Sequence, residues 1–462
     1  MRKLDPAIIL ESLCEGGSVA ARLEQFEPRQ AQLDLMELII QCFNEDAIGA
    51  AEAGTGVGKS FAYLLPALHF AELNKERVVI STATITLQQQ LFGKDIPLVQ
   101  AATGSKVKSV LVKGRGNYLC FMRLEDALHE PDLPGIDEKN ELDRIARWAE
   151  TSKSGGRDDL AFTPQENLWS RVCSDADLCM GKRCPQQDRC FIIALRKEAA
   201  AARIIVVNHH LLFADLAARR EGAGYENAVV LPPYSRVIID EAHTIEGAAT
   251  SFFSKEFSRI GIMRHLGRLY RAQRARQTGL LLRFLNLIPD GEDRLKSLVT
   301  ALNGIRRAAL ELDSPALDLC GLEGVFRFSP HKNNGGAETA LFPTLASLKK
   351  KLIAFAAIIR ELIETVPQDA LDDPAVWEIK AIARRFENIA GICTAFAGYR
   401  DRQHEVMWIE RRGISNNEKL PVEGGRHWAV FTQSPVELAE SLKESLFAPN
   451  KTVVCVSATL AL

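Results

Sequence analysis

Residues 52–60 read EAGTGVGKS; they begin at the end of a short apolar segment, AIGAAEAG from residue 47, and lead into the apolar run FAYLLPALHFA. A strand, a glycine-rich loop and a helix in this order are typical of a P-loop, because backbone N–H groups converge on phosphate at the helix N-terminus. The pattern predicts that Lys59 reaches the β- and γ-phosphates of a nucleotide and that Ser60 is a ligand of Mg²⁺. The predicted phosphate-binding residues are Ala53, Gly54, Thr55, Gly56, Val57, Gly58, Lys59 and Ser60. Ala53 stands where the general pattern has its first glycine.

A second segment, VIIDEAH at residues 237–243, ends an apolar run with two adjacent carboxylates. Alone, an Asp-Glu pair at the end of a strand is usually a solvated turn. Beside a P-loop, the pair indicates a site of ATP hydrolysis: we expect Asp240 to hold Mg²⁺ through water, and Glu241 to orient and deprotonate the attacking water. His243, in the same segment, belongs to the predicted nucleotide site.

The order of the apolar segments predicts an α/β fold. Short β-branched runs begin near residues 47, 77, 203, 236 and 451, and helical patterns separate most of them, which favours a parallel sheet with crossover helices. Two long insertions are predicted to interrupt this sheet. The first, residues 116–199, is polar and carries a cluster of cysteines, whereas the second, residues 246–424, is mostly helical in pattern. A β-ribbon is predicted between residues 404 and 432.

The composition is that of an ordinary globular protein: 462 residues, of which 47% are hydrophobic and 25% charged. No segment approaches the roughly 20 apolar residues that a membrane helix needs, and the first residues are too acidic for a signal peptide, so we expect a cytoplasmic protein with no membrane partner. The net charge of −2 makes no case for nucleic acid. Ten cysteines in a reducing compartment favour metal or redox chemistry over disulfides.

Basic residues between 264 and 276 predict a helix with one basic and one apolar face. Arg264, Arg268 and Arg271 would form the basic face, which suits either a channel for a displaced strand or an ordinary solvated helix surface, and both alternatives remain open. His209 and His210 are expected to be local packing and hydrogen-bonding groups, because no acid or cysteine lies beside them to complete a metal site.

Several motifs resemble those of a known family. EAGTGVGKS, VIIDEAH and the terminal VSATL are similar to motifs I, II and III of superfamily 2 helicases, and STATITLQQQL from residue 81 is similar to motif Ia. FEPRQAQ, VKGRGNYLC, VVNHHLL and the cysteine spacing resemble the DinG/YoaA branch of XPD-like iron–sulfur DNA helicases, from about residue 24 to the last residue. The resemblance implies an enzyme that uses ATP and Mg²⁺ to move 5′ to 3′ on single-stranded DNA and to unwind forked duplexes in DNA repair or replication.

The resemblance also implies roles for individual residues. A [4Fe–4S] cluster would be held by Cys120, Cys179, Cys184 and Cys190. Arg29 and Gln32 match an R-x-x-Q element in which Gln32 recognises adenine. Ser457 and Thr459 would couple the nucleotide site to DNA. Contacts to single-stranded DNA are implied for Thr82, Thr84, Gln88, Arg115 and Thr459.

The cysteines by themselves leave other interpretations open, because four thiolates also suit a structural zinc. Zinc sites commonly use C-x-x-C pairs, whereas Cys179, Cys184 and Cys190 are separated by four and five residues, which favours the iron–sulfur interpretation. Unligated thiols are the third interpretation. Cys173 has no counterpart in the family pattern and receives no role.

The resemblance implies a division into domains. Residues 1–115, 200–245 and 425–462 would form the first helicase motor domain, of P-loop, RecA-like fold; residues 116–199 would form an iron–sulfur domain and residues 246–424 a helical arch domain. Family members continue into a second motor domain with motifs IV to VI, which we expect to be absent after VSATLAL.

Without the second motor domain, we expect the chain alone to bind ATP, to hydrolyse it feebly and not to unwind DNA, because that domain supplies arginines that stabilise the transition state. A separate polypeptide that carries the second motor domain is therefore an expected partner. The alternative is a non-motor ATP- and DNA-binding module, or half of a split helicase, that acts through a partner.

Overall fold

The computed structural model describes residues 1–462 except 23–26, 28, 55, 130–135, 221–224, 226–229, 274–275, 322, 332–335, 414–424 and 461–462. The strands are β1 (Ile48–Glu52), β2 (Val78–Thr82), β3 (Ser109–Leu111), β4 (Ile204–Asn208), β5 (Arg236–Asp240), β6 (Lys255–Ser258), β7 (Arg271–Gln273), β8 (Arg276–Thr278), β9 (Val325–Arg327), β10 (Glu405–Gly413), β11 (His427–Pro435) and β12 (Thr452–Ser457). The α-helices are α1 (Pro6–Glu11), α2 (Gln30–Glu45), α3 (Lys59–Asn74), α4 (Ile85–Gln90), α5 (Ile96–Thr103), α6 (Phe121–His129), α7 (Ile136–Thr151), α8 (Glu166–Val172), α9 (Phe191–Ala201), α10 (His209–Ala218), α11 (Ile245–Phe253), α12 (Arg259–Leu269), α13 (Leu280–Leu285), α14 (Gly291–Cys320), α15 (Ala337–Glu364), α16 (Pro374–Ala397) and α17 (Leu438–Leu442).

A six-stranded parallel sheet, in the order β1-β12-β5-β2-β4-β3, forms the centre of the fold. Strands β2 and β5 are buried at every position, which explains why they are continuous apolar runs in the sequence. Helices cover both faces: Phe43 of α2 and Phe70 of α3 pack against one face, and Phe213 of α10 packs against the other. The predicted fold class, an α/β parallel sheet interrupted by two insertions, is confirmed.

The sheet order brings the candidate motifs together. Parallel strands end at the same edge of a sheet, and ligands of open α/β sheets bind at that edge. Strands β1, β12 and β5 are neighbours, so the loops that follow them open side by side. The glycine-rich loop after β1 and the Asp-Glu pair at the end of β5 therefore lie at one edge.

The first insertion is the chain between β3 and β4, and it carries helices α6 to α9. These helices enclose a small core of their own, centred on Trp169, Leu142 and Ile145. This core is separate from the two cores that flank the parallel sheet.

The second insertion is the chain between β5 and β12. Its long helices α14, α15 and α16 pack on a four-stranded antiparallel sheet in the order β6-β11-β10-β9. The predicted β-ribbon is confirmed, because β10 and β11 pair from Glu405↔Pro435 to Gly413↔His427. Strand β11 falls within the segment 425–462 that the sequence assigns to the motor domain, yet its Ala429 and Phe431 pack among the helices of the second insertion.

Ion pairs connect the two insertions. Arg283 of α13 contacts Asp126 of α6 at 2.9 Å, and Arg385 of α16 contacts Asp175 at 2.8 Å. Arg183 contacts Asp372 at 2.8 Å. No described helix is both long and apolar enough to cross a bilayer.

Candidate functional site

The glycine-rich loop has the backbone that its glycines permit. Gly56 and Gly58 have left-handed φ angles of 78° and 85°, which favour glycine over any residue with a side chain. A Cβ atom at Gly58 would stand 2.3 Å from Nε2 of Gln32, so this position also lacks room for a side chain. Ala53 is not left-handed, which explains why alanine is accepted where the general pattern has glycine. Thr55 lies outside the described residues.

Lys59 is the first residue of α3, at the N-terminus of a 16-residue helix where backbone N–H groups and the helix dipole favour an anion. Its ammonium donates to the carbonyl oxygen of Ala53 at 3.3 Å and lies 3.5 Å from Oε1 of Glu241. The side chain of Lys59 is 11% exposed. A cation that follows β1 and a carboxylate that follows β5 thus meet at this edge of the sheet.

Asp240 ends β5 and is buried. The buried hydroxyl of Tyr63, on α3, donates to Oδ2 of Asp240 at 3.2 Å. Burial, and then the charge of the adjacent Glu241, raise the pKa of Asp240 to about 6. A bound cation would offset both effects, which suits a carboxylate that holds a metal ion. Tyr63 has no motif signal, because it lies within the apolar run FAYLLPALHFA.

His243 links the acidic pair to the neighbouring strand. Its Nδ1 lies 2.8 Å from the hydroxyl of Ser457, at the end of β12, and 3.4 Å from Oε2 of Glu241. Ser457 is fully buried. These contacts place His243 between the carboxylate and the segment VSATL.

Arg29 and Gln32 contact the glycine-rich loop itself. The guanidinium of Arg29 donates to the carbonyl of Gly56, and Nε2 of Gln32 donates to the carbonyl of Gly58 at 2.9 Å. Gln32 is buried, whereas Arg29 is exposed. Both residues therefore support the phosphate loop, and the recognition of adenine by Gln32 stays a prediction.

The residues predicted to bind DNA differ in accessibility. Thr82 and Gln88 are fully buried; the Thr82 hydroxyl donates to the carbonyl of Thr84 at 3.2 Å, and the Gln88 amide donates to the carbonyl of Val112 at 3.5 Å. Thr84 is exposed, and its hydroxyl accepts from the N–H of Leu87 at the start of α4. Of these three predicted contacts, only Thr84 is therefore open to a ligand.

Thr459 is exposed, and its backbone N–H and carbonyl are bonded to the Ser457 hydroxyl. Arg115 is half-buried and lies beside the thiol of Cys179. Nη1 of Arg115 is buried and has no hydrogen-bond partner among the described residues. This position associates Arg115 with the cysteines of the first insertion, and its contact with DNA stays a prediction.

The four predicted cluster cysteines lie near one another in the first insertion. Burial raises the pKa of Cys184, and the nearby thiols of Cys190 and Cys179 raise it further. Burial likewise raises the pKa of Cys120, with a contribution from Cys184. Burial also acts to raise the pKa of Cys179, but hydrogen bonding and charge from Arg115 outweigh it and hold the pKa below its ordinary value.

The described side chains do not form a closed ligand set. Among the residues that the structure describes, no group of three or more His, Cys, Asp or Glu side chains stands close enough to hold a metal ion. The donor chemistry nevertheless fits an anionic thiolate cluster, because Arg115 and Arg196 both act electrostatically on Cys179 and Arg115 keeps an unpartnered buried nitrogen there. Cys173 lies beside Arg123, whose guanidinium donates to the Cys173 carbonyl and lies 4.0 Å from its sulfur.

Comparisons with known proteins agree with the motifs. Residues 29–125 match the family of DEAD/DEAH box helicases. The chain is 33% identical over 243 residues to the ATP-dependent DNA helicase YoaA of Haemophilus influenzae, an alignment that covers 52% of this chain and 37% of YoaA. It is 27% identical over 465 residues to the ATP-dependent DNA helicase DinG of Photobacterium profundum, covering 95% of this chain and 63% of DinG.

Among solved structures, Xpd4 of S. tokodaii aligns with this chain at a TM-score of 0.39 and 12% sequence identity. The alignment covers 94% of this chain and 57% of the Xpd4 chain. The chain spans 37% of the length of YoaA and 63% of the length of DinG. The chain is therefore similar to DEAD/DEAH box helicases over residues 29–125, and to the bacterial DinG and YoaA helicases over longer alignments.

Proposed function

We propose that this chain is the ATP-hydrolysing part of a DNA helicase that moves 5′ to 3′ along single-stranded DNA and unwinds forked duplexes in repair or replication. The observation that carries the proposal is the meeting of Lys59 and Glu241, 3.5 Å apart, at the edge where β1, β12 and β5 end. The names of the relatives, ATP-dependent DNA helicases, support the same activity.

The chemistry follows from these positions. The loop amides and Lys59 bind the β- and γ-phosphates, which draws the ammonium away from Glu241 and frees that carboxylate for water. Glu241 then accepts a proton from the water whose oxygen attacks the γ-phosphorus, while the bond to the bridging oxygen breaks and ADP leaves. Mg²⁺, held by Ser60 and through water by Asp240, would neutralise charge on the phosphates. His243 and Ser457 fix the orientation of Glu241 from the side of β12.

We also propose that Cys120, Cys179, Cys184 and Cys190 hold a [4Fe–4S] cluster, which would act as a structural staple of the first insertion. Cys184 raises the pKa of Cys120, and Cys179 and Cys190 raise the pKa of Cys184, which supports the proposal, as does the unpartnered nitrogen of Arg115. Analysis of iron and acid-labile sulfide in anaerobically purified protein tests it. Zinc in place of iron would overturn it.

The DNA-facing surface is proposed at the exposed turn of Thr84 and at Thr459, both at the carboxyl edge of the sheet. The described residues contain one parallel sheet, and superfamily 2 motors close their ATP site with a second domain of this kind. We propose that this second domain comes from outside the described residues, in the same protein or in a separate polypeptide.

ATP hydrolysis with and without a single-stranded oligonucleotide tests the proposed function. Glu241→Gln is expected to retain ATP binding and to lower the hydrolysis rate by about a hundredfold or more, because it removes the base. Glu246→Gln, an exposed carboxylate on α11, is the matched control and should hydrolyse ATP normally. Equal rates in both variants would remove Glu241 from the mechanism. Binding of ATP and DNA without stimulated hydrolysis, even when a second motor domain is supplied, would favour the non-motor module.

A further inference from the structure

The ring of His209 is buried at the edge of the sheet where the candidate site lies, and none of the steps above uses it. His209 is the first residue of α10, directly after β4, and is 1% exposed. Its Nδ1 lies 2.7 Å from the hydroxyl of Ser81 on β2. Its Nε2 is buried and has no hydrogen-bond partner in the part of the chain that the structure describes.

The ring lies at the ends of three neighbouring strands, β4, β2 and β5. Strand β2 lies between β4 and β5, and Ser81 pairs with Val207 of β4 on one side and with Ile239 of β5 on the other. Burial lowers the pKa of His209 to about 4, and the carbonyl groups of Glu241 and Asp240 lie close enough to oppose that effect in part. A ring that is 1% exposed is favoured in its neutral form, which has one N–H to donate.

The hydrogen bond between Nδ1 and the Ser81 hydroxyl is compatible with either tautomer of the ring. When Nδ1 accepts from the Ser81 hydroxyl, the hydrogen resides on Nε2. Nε2 is then the donor that can reach the carbonyl groups of Asp240 and Glu241. In the described arrangement this hydrogen bond is not made.

The peptide on the other side of the ring has an unusual backbone. Glu241 is left-handed, with φ 55° and ψ 46°, a conformation that residues with side chains adopt rarely. Its carbonyl accepts from the N–H and the hydroxyl of Thr244 at 3.0 and 2.8 Å, so the turn is held from the side of α11. A bond from His209 would hold the same segment from the side of β4.

On the side of β2, Ser81 directly precedes the segment with the proposed DNA contacts. The hydroxyl of Thr82 donates to the carbonyl of Thr84, and Thr84 is exposed. A DNA backbone held at this turn would displace the end of β2, and the 2.7 Å contact would transmit that displacement from Ser81 to the ring.

We propose that His209 is a positioning residue that, through Ser81, couples the DNA-facing turn after β2 to the peptide that carries Glu241. The inference rests on the proposed ATP and DNA binding and adds a residue to it. The unmet hydrogen bond of Nε2 supplies the energetic basis. An arrangement in which Nε2 donates to a carbonyl gains a hydrogen bond that the described arrangement lacks. Coupling between two sites requires such a difference in free energy between two states.

The experiment measures the affinity of a non-hydrolysable ATP analogue, with Mg²⁺, in the absence and in the presence of saturating oligo(dT). We expect the oligonucleotide to tighten nucleotide binding of the unmodified protein by about tenfold, a usual size for coupling between sites. His209→Ala and Ser81→Ala are expected to reduce this ratio to less than about twofold. The double variant should lose no more than either single variant, because both substitutions break one link.

Three further variants separate positioning from a structural role. His210→Ala changes the exposed neighbour and should keep the tenfold ratio. His209→Gln can still donate from its amide Nε2 and should restore part of the ratio, whereas His209→Asn can replace only the contact with Ser81 and should not. A residue needed only for folding would weaken both affinities and leave the ratio unchanged.

The outcomes distinguish this inference from the proposed function. Failure of the unmodified protein to bind the analogue or oligo(dT) overturns the proposed function itself. Binding of both ligands with a ratio of one, or a tenfold ratio that persists in His209→Ala and Ser81→Ala, overturns the coupling role alone. Thermal unfolding of each variant shows whether it is folded. If His209→Ala is unfolded, the ratio measured for Ser81→Ala tests the coupling role.

Discussion

Removal of the charge of Glu378 should loosen the packing of α16 against α12 and α13 within the second insertion. Glu378, on α16, is buried and accepts from Nε and Nη2 of Arg268 at 2.6 and 3.0 Å. Arg283 lies 3.4 Å from the same carboxylate and 2.9 Å from Asp126 of α6. Burial acts to raise the pKa of Glu378, but Arg268 and Arg283 outweigh it and hold the pKa below its ordinary value.

The expected magnitude follows from this burial. Breaking a buried ion pair costs about 3–5 kcal/mol because the remaining charge is uncompensated. The arginine side chains are 21% and 39% exposed, so we expect about 2–3 kcal/mol for Glu378→Gln. Because the folded pKa is lowered, this stabilisation is present above the unfolded pKa and is lost as the pH falls through the folded pKa.

The assay is amide hydrogen exchange of α12 and α16 near pH 7, which reports local opening. A loss of about 2–3 kcal/mol predicts exchange that is faster by about 30-fold to 150-fold in Glu378→Gln. Glu387→Gln is the matched control on the same helix, because its partner Arg360 is 66% exposed and the pair should contribute less than about 1 kcal/mol. Equal exchange in the two variants would refute the conclusion that the buried ion pair of Glu378 with Arg268 holds these helices together.

Three further substitutions test the phosphate loop, the carboxylate proposed to hold Mg²⁺ and the cysteines of the first insertion. Gly58→Ala should weaken ATP binding by about tenfold or more in a fluorescent-nucleotide titration, because a left-handed φ of 85° costs a residue with a side chain about 1–2 kcal/mol. Gly93→Ala is the control and should leave ATP binding unchanged, because no atom lies within 4 Å of the added Cβ. Tyr63→Phe should raise the Mg²⁺ concentration needed for half-maximal hydrolysis, and an unchanged requirement would show that the bond to Asp240 has no role there. Arg115→Ala should lower the iron content per chain, whereas full iron occupancy would show that this arginine does not support the cluster.

Part of the fold is predictable because buried parallel strands are continuous apolar runs. Strands β1, β2, β4, β5 and β12 follow from such runs. Strand β3 does not, because three residues are too few to show a pattern. The antiparallel sheet of the second insertion is predictable only as its β10–β11 ribbon, since β6 and β9 are short strands that depend on pairing with distant residues.

The arginines near residue 268 show the limit of a helical pattern. The predicted helix is confirmed as α12, with Ile262 and Leu266 buried on its apolar face. Arg268 is nevertheless bonded to Glu378, 110 residues away, and Arg271 lies in β7 after the helix has ended. A pattern within one segment carries no information about a partner so far along the chain.

The residues of the candidate site also differ in whether the sequence predicts them. Lys59, Asp240 and Glu241 are predictable because their residue types follow strands that end at one edge of the sheet. Tyr63 and His209 are not, because each acts through a contact across the fold.

The most direct test of the central claim is a calorimetric titration of the intact chain with ATP and Mg²⁺. The position of Lys59 at the N-terminus of α3 predicts saturable binding that Lys59→Ala weakens by about thirtyfold or more. The variant loses the ammonium that would contact the phosphates, and truncating one member of a desolvated charged contact costs at least about 2 kcal/mol. Lys75→Ala, an exposed lysine that follows the last residue of α3, should bind as the unmodified chain does. No heat of binding, or equal affinities in the two variants, would contradict the account.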